Sequence, residues 1–332
     1  MSSITPRKLL GAGALAAVSL LALTACSGGG AASQSTATDS SGGGGGDSGY
    51  VISMVTHETP GDSFWDKIRA GAEQAAKDTG ATLQYANDPA ADKQAQLIQT
   101  AIDSDVDGIA TTLATPDALA ASVQAAADAG IPLVGFNSGI DQYQDVGALM
   151  YFGSDENLAG QTAGERIAEA GGEHPLCVIQ AAGSVALEAR CAGVASVVPG
   201  TENIQVNGAD DSAVVAALQA KLQQDPSIDY IVTLGAPIAL DALDAMEQSG
   251  SEAKLITFDL NADAAQAIKD GEIEFSIDQQ PYMQGYMAVT SLYLYLKNGN
   301  DLGGGQPVLT GPSFVDQSNI DAILPFAENN TR

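Results

Sequence analysis

Two stretches decide the architecture: Val106–Asn137, "VDGIATTLATPDALAASVQAAADAGIPLVGFN", and Ile228–Asp259, "IDYIVTLGAPIALDALDAMEQSGSEAKLITFD". They lie about 122 residues apart and align along their length. Val106 matches Ile228, Pro116 falls near Pro237, and Phe136-Asn137 matches Phe258-Asp259. Each reads as a strand, a helix opened by proline and stopped by glycine, and a second strand. A period this long is not a solenoid repeat. It is two copies of one α/β unit, expected to face each other across a cleft.

Outward from the repeat, short apolar runs alternate with amphipathic helical ones. Candidate strands are "YVISMV", "ATLQYA", "VDGIATT", "IPLVGF", "ALMYFG", "PLCVIQ", "NIQVNG", "IDYIVTL", "AKLITFD" and "IEFSID". Their apolar patterns are continuous rather than alternating, as in strands covered on both faces of a parallel sheet. Between them the helices have readable ends. Asp62-Ser63 can cap the first, whose stripe is Trp65, Ile68, Ala72, Ala75 and Ala76, and Gly80 stops it. Strand–helix–strand alternation with short loops gives βαβ units and open parallel sheets.

The N-terminal segment is of another kind. Arg7 and Lys8 precede an uncharged apolar run, Leu9–Leu23, that is short for a bilayer span. Leu23-Thr24-Ala25-Cys26 looks like a bacterial lipobox, so residues 1–25 are read as a signal peptide and Cys26 as the lipidated first residue of the mature chain. Residues 26–49 are Gly/Ser-rich and cannot bury enough surface to offset their ordering entropy. They are expected to form a random-coil tether with an end-to-end distance of about 25 Å.

Loss of Arg7 and Lys8 leaves 11 Lys and Arg against 41 Asp and Glu. So acidic a surface repels phosphate backbones, and nucleic acid is excluded as a partner. Cys177 and Cys191 remain; in an extracytoplasmic protein they are expected to form a structural disulfide, free buried thiols being the alternative. Their spacing does not suit a C-x-x-C redox pair, and the two histidines, His57 and His174, lie in different copies without metal-ligand spacing.

In open α/β sheets ligands bind beyond the carboxyl ends of the strands. The loops there carry Asp, Asn, Gln, Thr, Ser and aromatics, with Arg190 as the one cleft cation read from sequence. Amides and carboxylates bind vicinal hydroxyls, and aromatic faces cover the C–H side of a sugar ring. A neutral polyhydroxy ligand suits this inventory. No G-x-S-x-G elbow and no G-x-x-x-x-G-K-[ST] loop is present, so no enzyme activity, cofactor or metal is expected. An opposed acid pair such as Asp62 and Asp259 would be needed for the competing reading, a glycoside hydrolase.

Lipobox, tether, "GDSFWDKIRAGAEQAAKDTGA", "VDGIATT", "AGIPLVGFNS", "ITFD" and "FSIDQQPYMQGYMAV", in that order, resemble the sugar-type, ribose-binding-like solute-binding proteins of ABC importers. The likeness runs from Tyr50 to about Phe326. It implies a type I periplasmic-binding-protein fold: two Rossmann-like lobes with parallel sheets, joined by a three-strand hinge and closing on the ligand. The lobes would comprise residues 50–152 with 280–310, and 153–279 with 311–328. It also implies ligand contacts from Phe64 and Trp65, a paired aromatic after the first strand, and from Asn137, Asp259 and Gln279. Thr56, His57, Asp62, Ser63, Ser138, Glu188, Arg190 and Gly235 complete the candidate set from the same strand-end loops.

Departures from the ribose type are specific. Asn137-Ser138 stands where ribose binders carry Asp-Arg, Glu188 near an arginine, and Gly235 near an asparagine. A different hydroxyl pattern follows, with ribose itself disfavoured. Trp65 either stacks on the sugar or packs under its loop with Phe64 as the contact, and His57 and Glu58 either reach the ligand or rim the cleft. The expected partners are a neutral sugar or polyol, an ABC permease, and the membrane through the lipid anchor only, with the chain a monomer. A receptor for a small furanose such as autoinducer-2 is the alternative on the same fold.

Overall fold

The computed structural model describes residues 46–59 and 61–332; the segment read as a signal peptide, the expected lipidation site Cys26 and most of the expected tether lie outside the described residues. Among the described residues, ten strands and nine helices run from Val51 to Asn298, alternating except that β5 follows β4 directly: β1 Val51–Thr56, α1 Phe64–Thr79, β2 Thr82–Asn87, α2 Ala91–Asp103, β3 Gly108–Thr112, α3 Pro116–Asp128, β4 Leu133–Phe136, β5 Tyr151–Ser154, α4 Glu156–Glu169, β6 Pro175–Ile179, α5 Val185–Val197, β7 Glu202–Gln205, α6 Asp211–Gln224, β8 Tyr230–Thr233, α7 Ala236–Ser249, β9 Lys254–Phe258, α8 Ala262–Asp270, β10 Phe275–Asp278 and α9 Pro281–Asn298. After them come β11 Val308–Gly311, β12 Ser313–Asp316 and α10 Ile320–Glu328.

The strands form two sheets, ordered β11-β5-β4-β3-β1-β2 and β12-β10-β9-β8-β6-β7. The orders superpose when five is added to each of β1–β5, so the duplication read from sequence is a duplication of lobes. Pairing is parallel except at β12, which runs antiparallel to β10. The chain passes between sheets three times: from β5 to α4, from β10 to α9, and from β11 straight into β12. Every one of the ten strands read from sequence is present. β11 and β12 were not foreseen, because Gly311-Pro312 splits "VLTGPSFVD" into apolar pairs too short to register as strands.

Each lobe holds its first helix by a close glycine contact. In the first lobe α1 lies on α9, and a Cβ added at Gly285 would stand 2.0 Å from the Ile68 carbonyl oxygen. In the second lobe α5 lies on α4 in the same way, with a Cβ at Gly193 only 2.3 Å from the Asn157 carbonyl oxygen. These backbones touch because no side chain intervenes. The contact matters for function, since α1 and α5 each present their first turns to the gap between lobes. A disulfide from Cys177 on β6 to Cys191 on α5, with Cα atoms 5.8 Å apart, pins α5 a second time.

The tether ends earlier than its composition suggested. Ser48 donates from its backbone N–H (2.8 Å) and its hydroxyl (3.0 Å) to the Gly80 carbonyl at the end of α1, so residues 48–49 belong to the body.

Candidate functional site

The carboxyl ends of both sheets converge on a cavity of about 290 Å³, at the small end of the ~300–1,000 Å³ usual for small-molecule sites. Its walls are the segments following β1 (His57, Thr59, Gly61, Asp62, Phe64, Trp65), β4 (Asn137, Ser138), β6 (Gln180 to Arg190), β7 (Gly208 to Asp211), β8 (Leu234 to Ile238), β9 (Asp259) and β10 (Gln279). Across it the lobes touch directly, the Val185 N–H donating to the Ala114 carbonyl at 3.1 Å. A larger, more open hollow of about 720 Å³ lies at the opposite ends of β8 and β9, between Leu222, Tyr230 and Lys254. It belongs to one lobe and receives none of the strand-end loops.

One wall is aromatic. Phe64 and Trp65 open α1, with rings 5.2 Å apart and edge-to-face. Trp65 is 4 % exposed, so it both packs under its loop and lines the cavity; the two sequence readings are the two sides of one ring. The His57 ring meets it edge-on at 4.8 Å. Thr112 Oγ1 accepts the His57 backbone N–H (3.1 Å) and the Gln94 amide (3.1 Å). The same hydroxyl stands 2.7 Å from His57 Nδ1, in a hydrogen bond whose direction follows the ring tautomer. Burial lowers the His57 pKa to about 4, so the ring is neutral at physiological pH.

The other wall is a polar chain that crosses from lobe to lobe. Ser138 Oγ donates to Asn137 Oδ1 (3.1 Å), Asn137 Nδ2 to Gln279 Oε1 (3.2 Å), and Gln279 Nε2 to Asp259 Oδ1 (2.9 Å). Asp259 Oδ2 stands 3.6 Å from Arg190 Nη1, and Arg190 Nε donates to Glu156 Oε2. Asn137 and Asp259, the matched ends of the repeat, both hold left-handed backbone, with φ of 65° and 63°. That turn bends the chain off the strand end and aims each side chain along the cleft. Their N–H groups bond equivalent strands, Phe152 on β5 and Ile277 on β10. Burial pushes the Asp259 carboxyl up to about 7, against the pull of Arg190 and Gln279. Burial also raises Asp62, whose Oδ1 accepts the Phe64 N–H at 3.0 Å.

Of the residues named from sequence, His57, Asp62, Phe64, Trp65, Asn137, Ser138, Arg190, Gly235, Asp259 and Gln279 meet at this cavity. Three do not line it. Thr56 is buried in β1 with its hydroxyl 3.2 Å from Tyr85 Oη. Ser63 makes no capping bond through its side chain, Asp62 having taken that role, and gives its carbonyl to Lys67. Glu188 is exposed: two residues before Arg190 on a helix, it points to nearly the opposite side. Glu58 turns away too, accepting bonds from Arg69 (3.3 Å) and Tyr85 (2.9 Å) that brace the loop.

The sequence reading missed buried charges behind the walls. Glu156, 2 % exposed, holds Arg190 and so neutralises the guanidinium that lines the cavity. Lys67 is fully buried on α1; burial lowers its pKa while Asp259 and Asp62 oppose the shift. Its i+3 place after Phe64, inside an otherwise apolar stripe, was the available signal. Away from the cavity, His174, Glu202 and Asp225 cluster like metal ligands, but Lys221 Nζ already bonds Glu202 (2.6 Å) and Asp225 (3.4 Å).

Duplicated lobes closing strand-end loops on a small polar cavity are the geometry of a solute binder, and the family model "Periplasmic binding protein domain" matches residues 52–301. The chain belongs to this family. Periplasmic binding proteins capture solutes and are not enzymes. A solved carbohydrate transporter from Acidothermus cellulolyticus, in complex with myo-inositol, is 52 % identical, with a TM-score of 0.84 over 85 % of this chain and 99 % of that one. The xylose/arabinose-binding protein of Sulfolobus acidocaldarius is 27 % identical over 82 % of this chain and 72 % of its own length. The ribose import binding protein of Bacillus subtilis is 26 % identical over 71 % and 78 %. Among the described residues of this periplasmic binding protein, no helix is long and apolar enough to cross a membrane.

Proposed function

We propose that this protein captures a neutral cyclic polyol, with myo-inositol the first candidate and monosaccharides of similar size the second, and delivers it to an ABC permease. The observation that carries the reading is the pairing of walls in one small cavity. Phe64 and Trp65 offer an apolar face, while Asn137, Gln279, Asp259 and Arg190 offer a linked row of donors and acceptors. Among the described residues, the one guanidinium lining the cavity is already paired with Glu156 and faces Asp259, so no unpaired cation in the cavity's lining awaits a phosphate or carboxylate. An uncharged ring with many hydroxyls satisfies both walls without bringing a charge to be neutralised. The relative that binds myo-inositol shares half its residues with this chain.

Binding free energy is the closing force: a ligand touching both lobes favours the closed state by its differential affinity for it. Residues 50–152 with 280–310, and 153–279 with 311–328, are proposed as the two moving bodies, a division supported by the three crossovers. The lipobox-like Cys26 supports anchoring by lipid on the outer face of the cell membrane, where a permease would recognise the closed form of a monomeric chain.

The test is a thermal-shift panel of inositols, pentoses, hexoses and linear polyols. A ligand at one hundred times its dissociation constant stabilises by about 2.7 kcal/mol. A cyclitol or pyranose is expected to give the largest rise in Tm, with sugar phosphates and uronates giving none. A shift confined to charged ligands overturns the proposal.

A further inference from the structure

Gln180 is the first residue after β6, at the carboxyl end of the second lobe's sheet. Its backbone carbonyl accepts the Gly208 N–H at 3.0 Å, and its aliphatic stem lies against Gly208, where an added Cβ would come within 2.8 Å of Gln180 Cβ. The amide then reaches Gly235, where an added Cβ would stand 3.1 Å from Gln180 Nε2. Gly235 has φ of −170°, extended backbone that any residue adopts. Glycine is therefore not needed there for its backbone; what its missing side chain supplies is room for the Gln180 amide.

That amide lines the cavity, and its Oε1 is buried with no hydrogen-bond partner among the described residues. A buried amide oxygen left unpaired is unfavourable and uncommon. A hydroxyl, both donor and acceptor, satisfies either end of the amide. We propose that Gln180, seated over Gly235, is a specificity-determining ligand contact that reads one hydroxyl of the bound polyol. This rests on the cyclic-polyol reading and names a residue that sets which polyol is accepted. A side chain at 235 would displace the amide, so the two positions act as one selector.

The experiment is calorimetric titration of the full mature chain with myo-inositol and with each monodeoxy-inositol, comparing wild type, Gln180→Met and Gly235→Ala. Methionine keeps the length of the side chain and removes both polar atoms. Gln180→Met is expected to bind myo-inositol about tenfold more weakly. The loss should disappear against one deoxy analogue, the one lacking the hydroxyl that Gln180 reads. Gly235→Ala should lose affinity with the same analogue dependence. Gln180→Met binding myo-inositol within twofold of wild type overturns the assignment, as does an equal loss against every analogue, which marks a structural role. Should Gln180→Met fail to fold, Gly235→Ala carries the same comparison. A wild-type chain that binds no cyclitol or sugar refutes the underlying reading, and the selector falls with it.

Discussion

Replacing Asp259 by Asn keeps the shape of the side chain and removes the carboxylate that links Gln279 to Arg190. In the native site Oδ1 accepts Gln279 Nε2–H at 2.9 Å and Oδ2 stands 3.6 Å from Arg190 Nη1. A ligand hydroxyl donating to an ionised carboxylate contributes about 1.5–3 kcal/mol. Asp259→Asn is therefore expected to weaken myo-inositol binding by about 10- to 150-fold. The variant also isolates a pH effect. Burial raises the Asp259 pKa to about 7, and a hydroxyl bond to the carboxylate favours the ionised form, so binding releases a proton. Affinity should be level well above pH 7 and fall as pH drops through it, approaching tenfold per pH unit until the liganded carboxyl itself protonates. His57, lowered to about 4, stays neutral across this range. Asp241, raised to about 6 by burial and by Asp211 and Asp244, titrates nearby but does not line the cavity. Titration calorimetry from pH 5.5 to 8.5, in buffers of differing ionisation enthalpy, reads both the affinity and the proton. A level wild-type profile would refute the reasoning, and so would the same slope in Asp259→Asn, which would take the proton away from Asp259.

Trp65 is the only tryptophan, so emission from the wild-type chain should shift on addition of a saturating polyol; unchanged emission with proven binding removes Trp65 from the aromatic wall. Replacing Cys177 and Cys191 together by Ala should cost about 3 kcal/mol in urea unfolding, as for a loop of this length. A reductant should reproduce that loss in the wild type, and indifference to reductant would contradict it. Gly285→Ala forces a Cβ onto the Ile68 carbonyl and should destabilise by about 1–3 kcal/mol while loosening α1 and with it the aromatic wall. An unchanged Tm would show that α1 and α9 separate without penalty.

Most of the fold was legible because the apolar runs are continuous and the duplication is long. Once Val106–Asn137 is laid on Ile228–Asp259, the equivalence of Asn137 and Asp259 follows, and their shared left-handed turn is its structural expression. The third crossover was expected from the resemblance but was not visible in the residues themselves, because β11 and β12 each have only four residues and a proline between them. The site was legible where a loop follows a strand and much less so inside helices. Glu188 and Arg190 are neighbours in sequence but a helix turns them about 200° apart, so only one faces the cleft. Lys67 and Glu156 lie beneath the walls, where the charge looks like ordinary surface until the packing is known. Gln180 follows a strand that sequence patterns extended by one residue, which hid a strand-end side chain inside an apolar run.

The central claim is that two copies of one α/β lobe close around an uncharged ring. A crystal structure of the mature chain grown with myo-inositol tests it most directly. The account predicts one molecule in the cavity, its C–H face on Phe64 or Trp65 and its hydroxyls on Asn137, Asp259 and Arg190, so that both lobes are touched at once. A ligand bound to one lobe alone, or at the hollow beside Tyr230 with the interlobe cavity vacant, would contradict it.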